Sequence, residues 1–212
     1  MHPASLDLRA NTMKTNREEL LAQMNALGGR YQATPTPFAP DGVRILGKPA
    51  LQNTAGFKAG MFEVQDEGSQ VVSLIAGGVS VSGEDSRWMD MCAGPGGKAA
   101  FLAALAADRG AHLTAVEVQP HRAELLRHAL RRWPESDVVV ADATELDAQQ
   151  WYQPGGFDRV LLDAPCTGLG SLRRRPDLRW QRQAADVAQL APLQEALLHS
   201  ALRAVRPGGV VI

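Results

Sequence analysis

The sequence is poor in cysteine and has no long apolar run. Its 212 residues include only two cysteines, Cys92 and Cys166, each in a separate loop motif, so we expect reduced thiols and no disulfide scaffold. Apolar stretches such as residues 99–107 fall far short of the roughly 20 residues that span a bilayer. The amino end also lacks the apolar run of a signal peptide. We therefore expect a cytoplasmic protein that binds no membrane and no metal ion.

Neither sign of charge is in excess. The 22 basic and 23 acidic residues give a formal net charge of -1, so overall charge does not point to a polyanionic partner, and any nucleic-acid binding must be local. Hydrophobic residues make up 45% of the chain, as in an ordinary globular protein with a real core. At about 150 residues per domain, the length suggests one domain plus an appendage. We expect a monomer.

The start of the chain predicts a small α/β module ahead of the main domain. Residues 6–11 alternate apolar and polar side chains like a strand. Thr15 and Glu18 match a capping box, which predicts the start of a helix. The stretch that follows is rich in Gly, Pro and Thr, which indicates a connector. We therefore expect the module at residues 1–58 and the main domain at residues 59–212.

From residue 87 onward, strand-like apolar runs alternate with helix-like segments. The strand candidates are residues 87–91, 112–118, 138–141, 160–162 and 210–212. The helix candidates are residues 98–109, 120–133 and 184–205. Strands that alternate with helices form a parallel sheet with helices on both faces. The sequence therefore predicts an α/β fold of the doubly wound, Rossmann-like kind, in which ligands bind at the carboxyl ends of the strands.

A glycine-rich loop follows the first of these strands. Glycines at a strand-to-helix turn let a ligand approach the backbone, and the free N–H groups of the helix amino end suit a carboxylate or phosphate. The spacing of Gly94, Gly96 and Ala99 meets a loose dinucleotide-binding pattern, although a plain tight turn would contain the same residues. A P-loop would need Ser or Thr after Lys98, where Ala99 stands.

Acidic residues end the next two predicted strands. Glu117 stands at the position from which a carboxylate reaches ribose hydroxyls, and Asp142 is placed to accept a hydrogen bond from an adenine amino group. Taken alone, either carboxylate would more often cap a helix or face solvent. Their placement beside a glycine-rich loop favours a nucleoside-like ligand.

A second loop carries Asp163 and Cys166. In the common strand order the fourth strand lies beside the first, so Cys166 would face the glycine-rich loop across the crevice. A thiol with a pKa near 8.5 is only about 3% thiolate at pH 7, so reactivity would need a neighbouring cation or a helix amino end. The alternative is a buried, inert cysteine, which is the interpretation we favour for Cys92.

Residues 172–182 form the most basic stretch of the chain, with five arginines against one aspartate. Arginines bind phosphates and tryptophan stacks on bases, so we expect a nucleic-acid contact from Arg173, Arg174, Arg175, Arg179 and Trp180. The alternative is a solvated loop with Trp180 folded into the core. We expect a simple solvated face from a second basic set, His121, Arg122, Arg127, His128, Arg131 and Arg132.

Four segments follow one another along the chain in a recognisable order. They are residues 6–12 (LDLRANT), 62–70 (FEVQDEGSQ), 92–98 (CAGPGGK) and 163–170 (DAPCTGLG), the last followed by Arg174, Pro176, Asp177 and Trp180. Together they resemble the motifs of the Nop/Sun family of RNA cytosine-5 methyltransferases. The cofactor loop of that family usually reads CAAPGGK, so Gly94 replaces its second alanine.

The resemblance implies a class I methyltransferase that transfers a methyl group from S-adenosylmethionine to cytosine C5 in RNA. Ribosomal RNA is the expected substrate, with transfer RNA as a second option. The part before residue 59 would be the remnant of a small RNA-binding module. The resemblance also implies cofactor contacts from Cys92, Ala93, Gly94, Pro95, Gly96, Gly97, Lys98, Glu117, Asp142 and Asp163.

In this family the attacking cysteine lies in a Thr-Cys motif at the end of the fifth strand, while the thiol that matches Cys166 assists product release or proton removal. The sequence stops at Ile212, before such a motif, so we expect a fragment clipped at both ends that lacks the last strands. In the alternative, Cys166 itself attacks C6, as the Pro-Cys thiol does in DNA cytosine-5 methyltransferases. Two other classes stay open: a cofactor- and RNA-binding fragment without catalysis, and a nicotinamide-dependent oxidoreductase.

Overall fold

The computed structural model describes residues 5–212, which form two compact units that divide between Val72 and Ser73. The first four residues of the predicted module lie outside the described residues. The composition of the sequence placed the boundary between residues 58 and 59. The difference arises because residues 62–64 form a strand that pairs with the first strand of the chain. Within the described residues, no helix is long and apolar enough to cross a membrane.

The first unit contains a four-stranded antiparallel sheet. Its strands are β1 (Leu6–Ala10), β2 (Ala33–Pro35), β3 (Gly42–Ile45) and β4 (Phe62–Val64), in the spatial order β2-β3-β1-β4. Its helices are α1 (Arg17–Leu27), the single turn α2 (Ala55–Lys58) and the start of α3 (Glu67–Gly78). Leu20 and Met24 of α1 pack against Leu8 and Val43 of the sheet, and this contact forms the core of the unit.

Helix α1 begins one position later than the predicted capping box. Asn16 is the N-cap, and its side-chain oxygen accepts a hydrogen bond from the backbone N–H of Glu19 at 2.9 Å. The hydroxyl of Thr15 is buried and donates to the Glu19 carboxylate at 2.9 Å instead. Thr15 therefore bonds to a side chain of the helix, and Asn16 caps the helix backbone.

Partly buried ion pairs connect the first two sequence motifs. Asp7 of β1 accepts hydrogen bonds from Arg44 of β3 at 2.8 and 3.0 Å, and Arg44 also donates to Glu67 at 2.9 Å. Arg9 of β1 donates to Glu63 of β4 at 2.7 Å. Buried charges are tolerated when they are paired, and removing one partner leaves the other charge uncompensated. These motif residues therefore hold the first sheet and the start of α3 together.

The second unit contains a five-stranded parallel sheet. Its strands are β5 (Arg87–Asp90), β6 (His112–Glu117), β7 (Ser136–Val140), β8 (Phe157–Leu161) and β9 (Val205–Val211), in the order β7-β6-β5-β8-β9. Its further helices are α4 (Gly97–Ala107), α5 (Pro120–Leu130), α6 (Leu178–Gln181) and α7 (Ala185–Ala204). The strand order reverses between β5 and β8, which is where such sheets bind ligands. The predicted Rossmann-like fold is confirmed.

Three elements of this unit differ from the predicted bounds by three residues or more, and the others by one or two. Strand β8 begins at Phe157 rather than at residue 160. Helix α5 ends at Leu130 rather than at Trp133, and the chain turns at residues 131–132, where the N–H of Trp133 donates to the Leu130 carbonyl at 2.9 Å. Strand β9 begins at Val205 rather than at residue 210. Its pairing with β8 is interrupted by an irregularity that contains Gly208, whose φ of +82° favours glycine.

A buried ion pair lies near the amino ends of β5 and β8. The side chain of Arg159 is 4% exposed and donates to both carboxylate oxygens of Asp85, at 2.8 and 2.7 Å. Its guanidinium carbon lies 4.9 Å from the centroid of the Trp88 ring, and the indole N–H donates to Asp85 at 2.7 Å. Arg159 also donates to the carbonyl of Ala76 at 2.9 Å. Asp85 is thus the shared acceptor that neutralises this region.

Candidate active site

A cleft of about 600 Å³ opens at the carboxyl ends of β5, β6, β7 and β8. This volume lies within the range of about 300–1,000 Å³ that small-molecule sites occupy. Its walls include residues that directly follow each of the four strands, since parallel strands bring their carboxyl ends to one edge of a sheet. The cleft lies at the reversal of strand order between β5 and β8, as the sequence predicts for a ligand site.

The predicted site residues divide into two groups. Those that line the cleft are Cys92, Gly94, Pro95, Glu117, Asp142, Asp163, Cys166 and Arg175. Those outside its lining are Ala93, Gly96, Gly97, Lys98, Arg173, Arg174, Arg179 and Trp180. In the second group, Ala93 and Gly96 are buried, whereas Arg173, Arg174, Arg179 and Trp180 are exposed at the surface.

The glycine-rich loop is shaped by Gly96, whose φ of +118° lies in the left-handed region that favours glycine. A Cβ on Gly96 would lie 2.7 Å from the Cβ of Ala129, so the loop also needs glycine to pack against the α5 region. Gly96 is the N-cap of α4 and makes no side-chain cap hydrogen bond. The amino end of α4 therefore faces the glycine-rich loop without a capping side chain from its N-cap residue, and helix amino ends of this kind suit a carboxylate or phosphate.

The carboxylate of Glu117 lies where a side chain at position 94 would be. A Cβ on Gly94 would lie 2.2 Å from the Glu117 Oε2 atom, so the carboxylate fills the space of an alanine side chain. Glu117 is 4% exposed, and its Oε1 accepts from the N–H of Gln119 at 2.8 Å. Arg122 Nε lies 3.4 Å from Oε2, and the guanidinium donates to the Gly94 carbonyl. These contacts orient Glu117 at the cleft wall.

Arg122 is a site residue that sequence analysis missed. We expected it on a solvated basic face, but it lines the cleft and joins Glu117 to the Gly94 carbonyl. The sequence contained one indication of this role. Arg122 lies in the first turn of the helix that follows β6, and that turn lies at the edge of the sheet where ligands bind.

Asp142 follows β7 and is exposed at the cleft. Its Oδ1 accepts from the backbone N–H of Thr144 at 2.8 Å and from the Thr144 hydroxyl at 2.7 Å. Asp142 therefore caps the short 3-10 helix at residues 143–148 while its carboxylate remains at the cleft wall. The cap fixes the direction of the side chain.

An ion pair connects the start of α4 with the loop after β8. Lys98 Nζ donates to Asp163 Oδ2 at 2.6 Å. The pair is partly solvated, with the Asp163 side chain 52% exposed, and such pairs add little to the free energy of unfolding. Its effect is geometric, because it holds the start of α4 and the loop after β8 at a fixed separation.

Asp90, like Arg122, is a residue to which sequence analysis assigned no role at the site. It ends β5, is 1% exposed, and neither of its carboxylate oxygens has a hydrogen-bond partner among the described residues. Burial and the nearby Asp163 raise its pKa to about 7, and the charge of Lys98 partly opposes this shift. The sequence contained one indication: Asp90 ends a largely apolar strand, and a residue at that position is buried when the strand joins the sheet.

We expect Asp90→Asn to stabilise the protein at alkaline pH and to have little effect in acid. A carboxyl group whose pKa rises from 3.8 to about 7 on folding binds more protons in the folded state between these values. The free energy of unfolding therefore falls as pH rises through this window, and asparagine removes that fall. The measurement is thermal unfolding from about pH 4 to about pH 8. Equal pH slopes for the wild type and Asp90→Asn would contradict the prediction, and Asp108→Asn at the exposed end of α4 is the control.

The two thiols differ in exposure. Cys92 is partly buried, and burial, followed by Asp90, Glu117 and Asp163, raises its pKa to about 12. It is therefore a protonated thiol at neutral pH and a poor nucleophile. Cys166 is exposed and lines the opposite wall of the cleft. Both thiols line the cleft, and that of Cys166 is the more accessible to a ligand.

Exposed basic side chains border the cleft on the Cys166 side. Trp180 is 85% exposed, so the alternative in which it folds into the core is wrong; Leu178, which is 2% exposed, occupies the buried position of α6. Arg175 and Arg182 line the cleft, and Arg179 is exposed beside them. The segment thus presents cations and one indole ring around the opening.

Comparison with known proteins identifies the family. A family model described as 16S rRNA methyltransferase RsmB/F matches residues 81–212. A Mycobacterium tuberculosis protein with a methyltransferase name is 46% identical over 194 residues, which are 92% of this chain and 39% of that protein. The ribosomal RNA small subunit methyltransferase B of Xylella fastidiosa is 36% identical over 214 residues, 100% of this chain and 48% of that protein. The chain thus spans less than half the length of these relatives.

Solved structures agree with this assignment. A methyltransferase homologue from Pyrococcus horikoshii matches with a TM-score of 0.76 and 26% identity, over 99% of this chain and 64% of that chain. NSun6 from Pyrococcus horikoshii, solved with SFG, has a TM-score of 0.82 at 20% identity, over 99% of this chain and 74% of that chain, a likeness that shows the fold alone. The resemblance to the Nop/Sun motifs is confirmed, and the chain belongs to the 16S rRNA methyltransferase RsmB/F family.

Proposed function

We propose that the protein is an S-adenosylmethionine-dependent methyltransferase that modifies C5 of cytosine in ribosomal RNA. One observation carries the proposal: a single cleft contains the glycine-rich loop, the carboxylates of Glu117 and Asp142, and the exposed thiol of Cys166. The names of the Xylella fastidiosa and Yersinia enterocolitica relatives support ribosomal RNA as the substrate. The cytoplasm, where ribosomal RNA is found, is the proposed location.

The residues of the cleft suit this cofactor. The buried carboxylate of Glu117, set in the space beside Gly94, would accept hydrogen bonds from the ribose hydroxyls. Asp142, oriented by its cap, would accept from the adenine amino group. Asp163, held by Lys98, would face the ammonium group of the methionine end. When bound, S-adenosylmethionine supplies a methyl group attached to a positively charged sulfur atom.

The chemistry explains why a thiol is needed near the base. Cytosine C5 is a poor nucleophile until a thiolate forms a bond to C6; C5 then takes the methyl group, whose bond to sulfur breaks to leave a neutral thioether. Loss of the C5 proton to a base and departure of the thiolate restore the C5–C6 double bond. The cytosine must be unpaired or flipped out for these groups to reach it.

Cys166 is assigned to the closing steps of this sequence. The family resemblance gives the attack on C6 to a Thr-Cys motif after the fifth strand and gives the Pro-Cys thiol to product release or proton removal. Strands β8 and β9 are neighbours and parallel, so Cys166 and Ile212 lie at the same edge of the sheet. Residues at that edge would act on one base from adjacent strands.

RNA contacts are proposed for the basic segment around the opening. Its exposed arginines would bind phosphates, and the exposed ring of Trp180 would stack on a base, worth about 1–3 kcal/mol. The residues in this role are Arg173, Arg174, Arg175, Arg179 and Trp180. Of these residues, Arg175 lines the same cleft as Cys166.

Transfer of labelled methyl from S-adenosylmethionine to unmodified small-subunit ribosomal RNA tests the proposal. The 212-residue chain and the full product of its gene are assayed side by side, and the nucleosides are identified after digestion. Formation of 5-methylcytosine by the full product supports the proposal, and a different methylated nucleoside or none overturns it. Activity of the 212-residue chain alone would make Cys166 the nucleophile and would contradict its release role.

We expect Glu117→Gln to weaken binding of S-adenosylmethionine by about ten- to a hundred-fold, since a hydrogen bond to a charged group contributes about 1.5–3 kcal/mol. Isothermal titration calorimetry measures the Kd. Glu124→Gln on the exposed surface of α5 is the matched control, because it removes the same charge from the next helix. An unchanged Kd for Glu117→Gln would remove Glu117 from the cofactor site.

A further inference from the structure

The loop that carries the reactive thiol lacks backbone support. Residues 163–167 belong to no helix or strand, and within the described part of the chain they take part in no backbone–backbone hydrogen bond. Holding the backbone of one residue in a single conformation costs about 1–2 kcal/mol of entropy. Other contacts must therefore fix the position of Cys166.

Two side chains provide these contacts. Gln194 Nε2 donates to the carbonyl of Pro165 at 2.8 Å, and Arg182 Nε donates to the carbonyl of Thr167 at 2.9 Å. The Pro165 carbonyl belongs to the peptide group that directly precedes Cys166, and the Thr167 carbonyl belongs to the peptide group after Thr167. The backbone is thus held before and after Cys166 by donors from different parts of the chain.

Each donor side chain is itself held by its surroundings. Gln194 lies on α7, one turn before Leu197, which is 3% exposed and packs in the core with Ala201. The guanidinium of Arg182 lies 3.6 Å from the Asp186 carboxylate in the next helix. Arg182 belongs by sequence to the basic segment, but its Nε–H is directed to the loop carbonyl rather than to solvent.

We propose that Gln194 and Arg182 are positioning residues that hold the thiol of Cys166 at the cleft, a role that rests on the proposed function. A thiol that acts on C5 or C6 of a bound base must be placed with an accuracy well below 1 Å, and a misplacement of about that size costs about a hundred-fold in rate. The donors act on the backbone beside Cys166 and leave its sulfur free to reach the base.

Mobility of a spin label on Cys166 tests the positioning without any need for activity. A nitroxide is attached to Cys166 in a Cys92→Ala background and observed by electron paramagnetic resonance. Gln194→Met keeps the size of the side chain and removes the donor, so the spectrum is expected to shift to the sharper lines of a mobile label. Gln189→Met, at an exposed position of the same helix, is the matched control and should leave the spectrum unchanged. Unchanged lines in both Gln194→Met and Arg182→Met would overturn the proposal.

Steady-state kinetics of the full gene product separate positioning from folding. Gln194→Met is expected to lower kcat about ten-fold while the KM for S-adenosylmethionine stays within about two-fold, since the loss falls on the chemical steps. Arg182→Lys, which keeps a donor, should retain more activity than Arg182→Met. A mobile label with an unchanged kcat would overturn the proposal. If the wild type transfers no methyl group, the proposed function fails, whereas the label still decides whether these residues hold the thiol.

Discussion

Cys166→Ala in the full product of the gene is expected to abolish release of methylated RNA and to leave RNA covalently attached to the protein. In the proposed sequence another thiol forms the bond to C6, and Cys166 serves the later steps in which the C5 proton and that thiol leave. Removing a group that transfers a proton in the transition state costs about 10²–10⁴-fold in rate. The methylated adduct would therefore accumulate.

Denaturing electrophoresis of the protein with labelled ribosomal RNA and S-adenosylmethionine detects the adduct as a shifted band. The control omits S-adenosylmethionine, so that only an adduct that has passed methyl transfer is counted. Cys166 is exposed, and its truncation leaves no cavity, so the free energy of unfolding should change by no more than about 0.5 kcal/mol. Loss of both the adduct and methyl transfer would show that Cys166 makes the attack itself.

Asp85→Ala is expected to give the largest loss of stability, about 3 kcal/mol in the free energy of unfolding. The substitution leaves the Arg159 guanidinium, whose side chain is 4% exposed, without its carboxylate. Breaking a buried ion pair costs about 3–5 kcal/mol, and the lower end applies because a quarter of the Asp85 side chain is exposed. For a chain of this length the fall in Tm is roughly 10 °C.

Differential scanning calorimetry of the two proteins at neutral pH measures this effect. Glu124→Ala is the matched control, because Glu124 pairs with Arg127 at 2.6 Å on the surface of α5, where an ion pair contributes no more than about 1 kcal/mol. Equal Tm values for Asp85→Ala and Glu124→Ala would show that Asp85 does not stabilise the second unit.

The order of helices and strands was predictable because it depends on local pattern. The alternation after residue 87 appears in the structure as β5 to β9 with their helices, and the Rossmann-like fold follows from it. Hydrophobic periodicity was less successful in predicting where each strand and helix begins and ends. Strand β9 starts at Val205 because it pairs with Phe157 of a distant strand, a contact that periodicity does not contain.

The candidate site was predictable where loops directly follow strands. Glu117, Asp142, Asp163 and Cys166 all line one cleft, as strand-end positions in a parallel sheet require. Residues that act through contacts at long sequence separation were missed. Gln194 lies far along the chain from Pro165, and its hydrogen bond arises only when α7 packs on the sheet.

By itself, the sequence determined the family, the succession of strands and helices, and the loops that meet at the cleft, because motifs and periodicity are local properties of the chain. Tertiary structure alone decided that Asp90 is buried with no hydrogen-bond partner among residues 5–212, and that Glu117 occupies the space beside Gly94. It also decided that side chains of later elements hold the Cys166 loop. Burial, and the pKa values that follow from it, depend on which distant residues surround a group, and only packing brings those residues together.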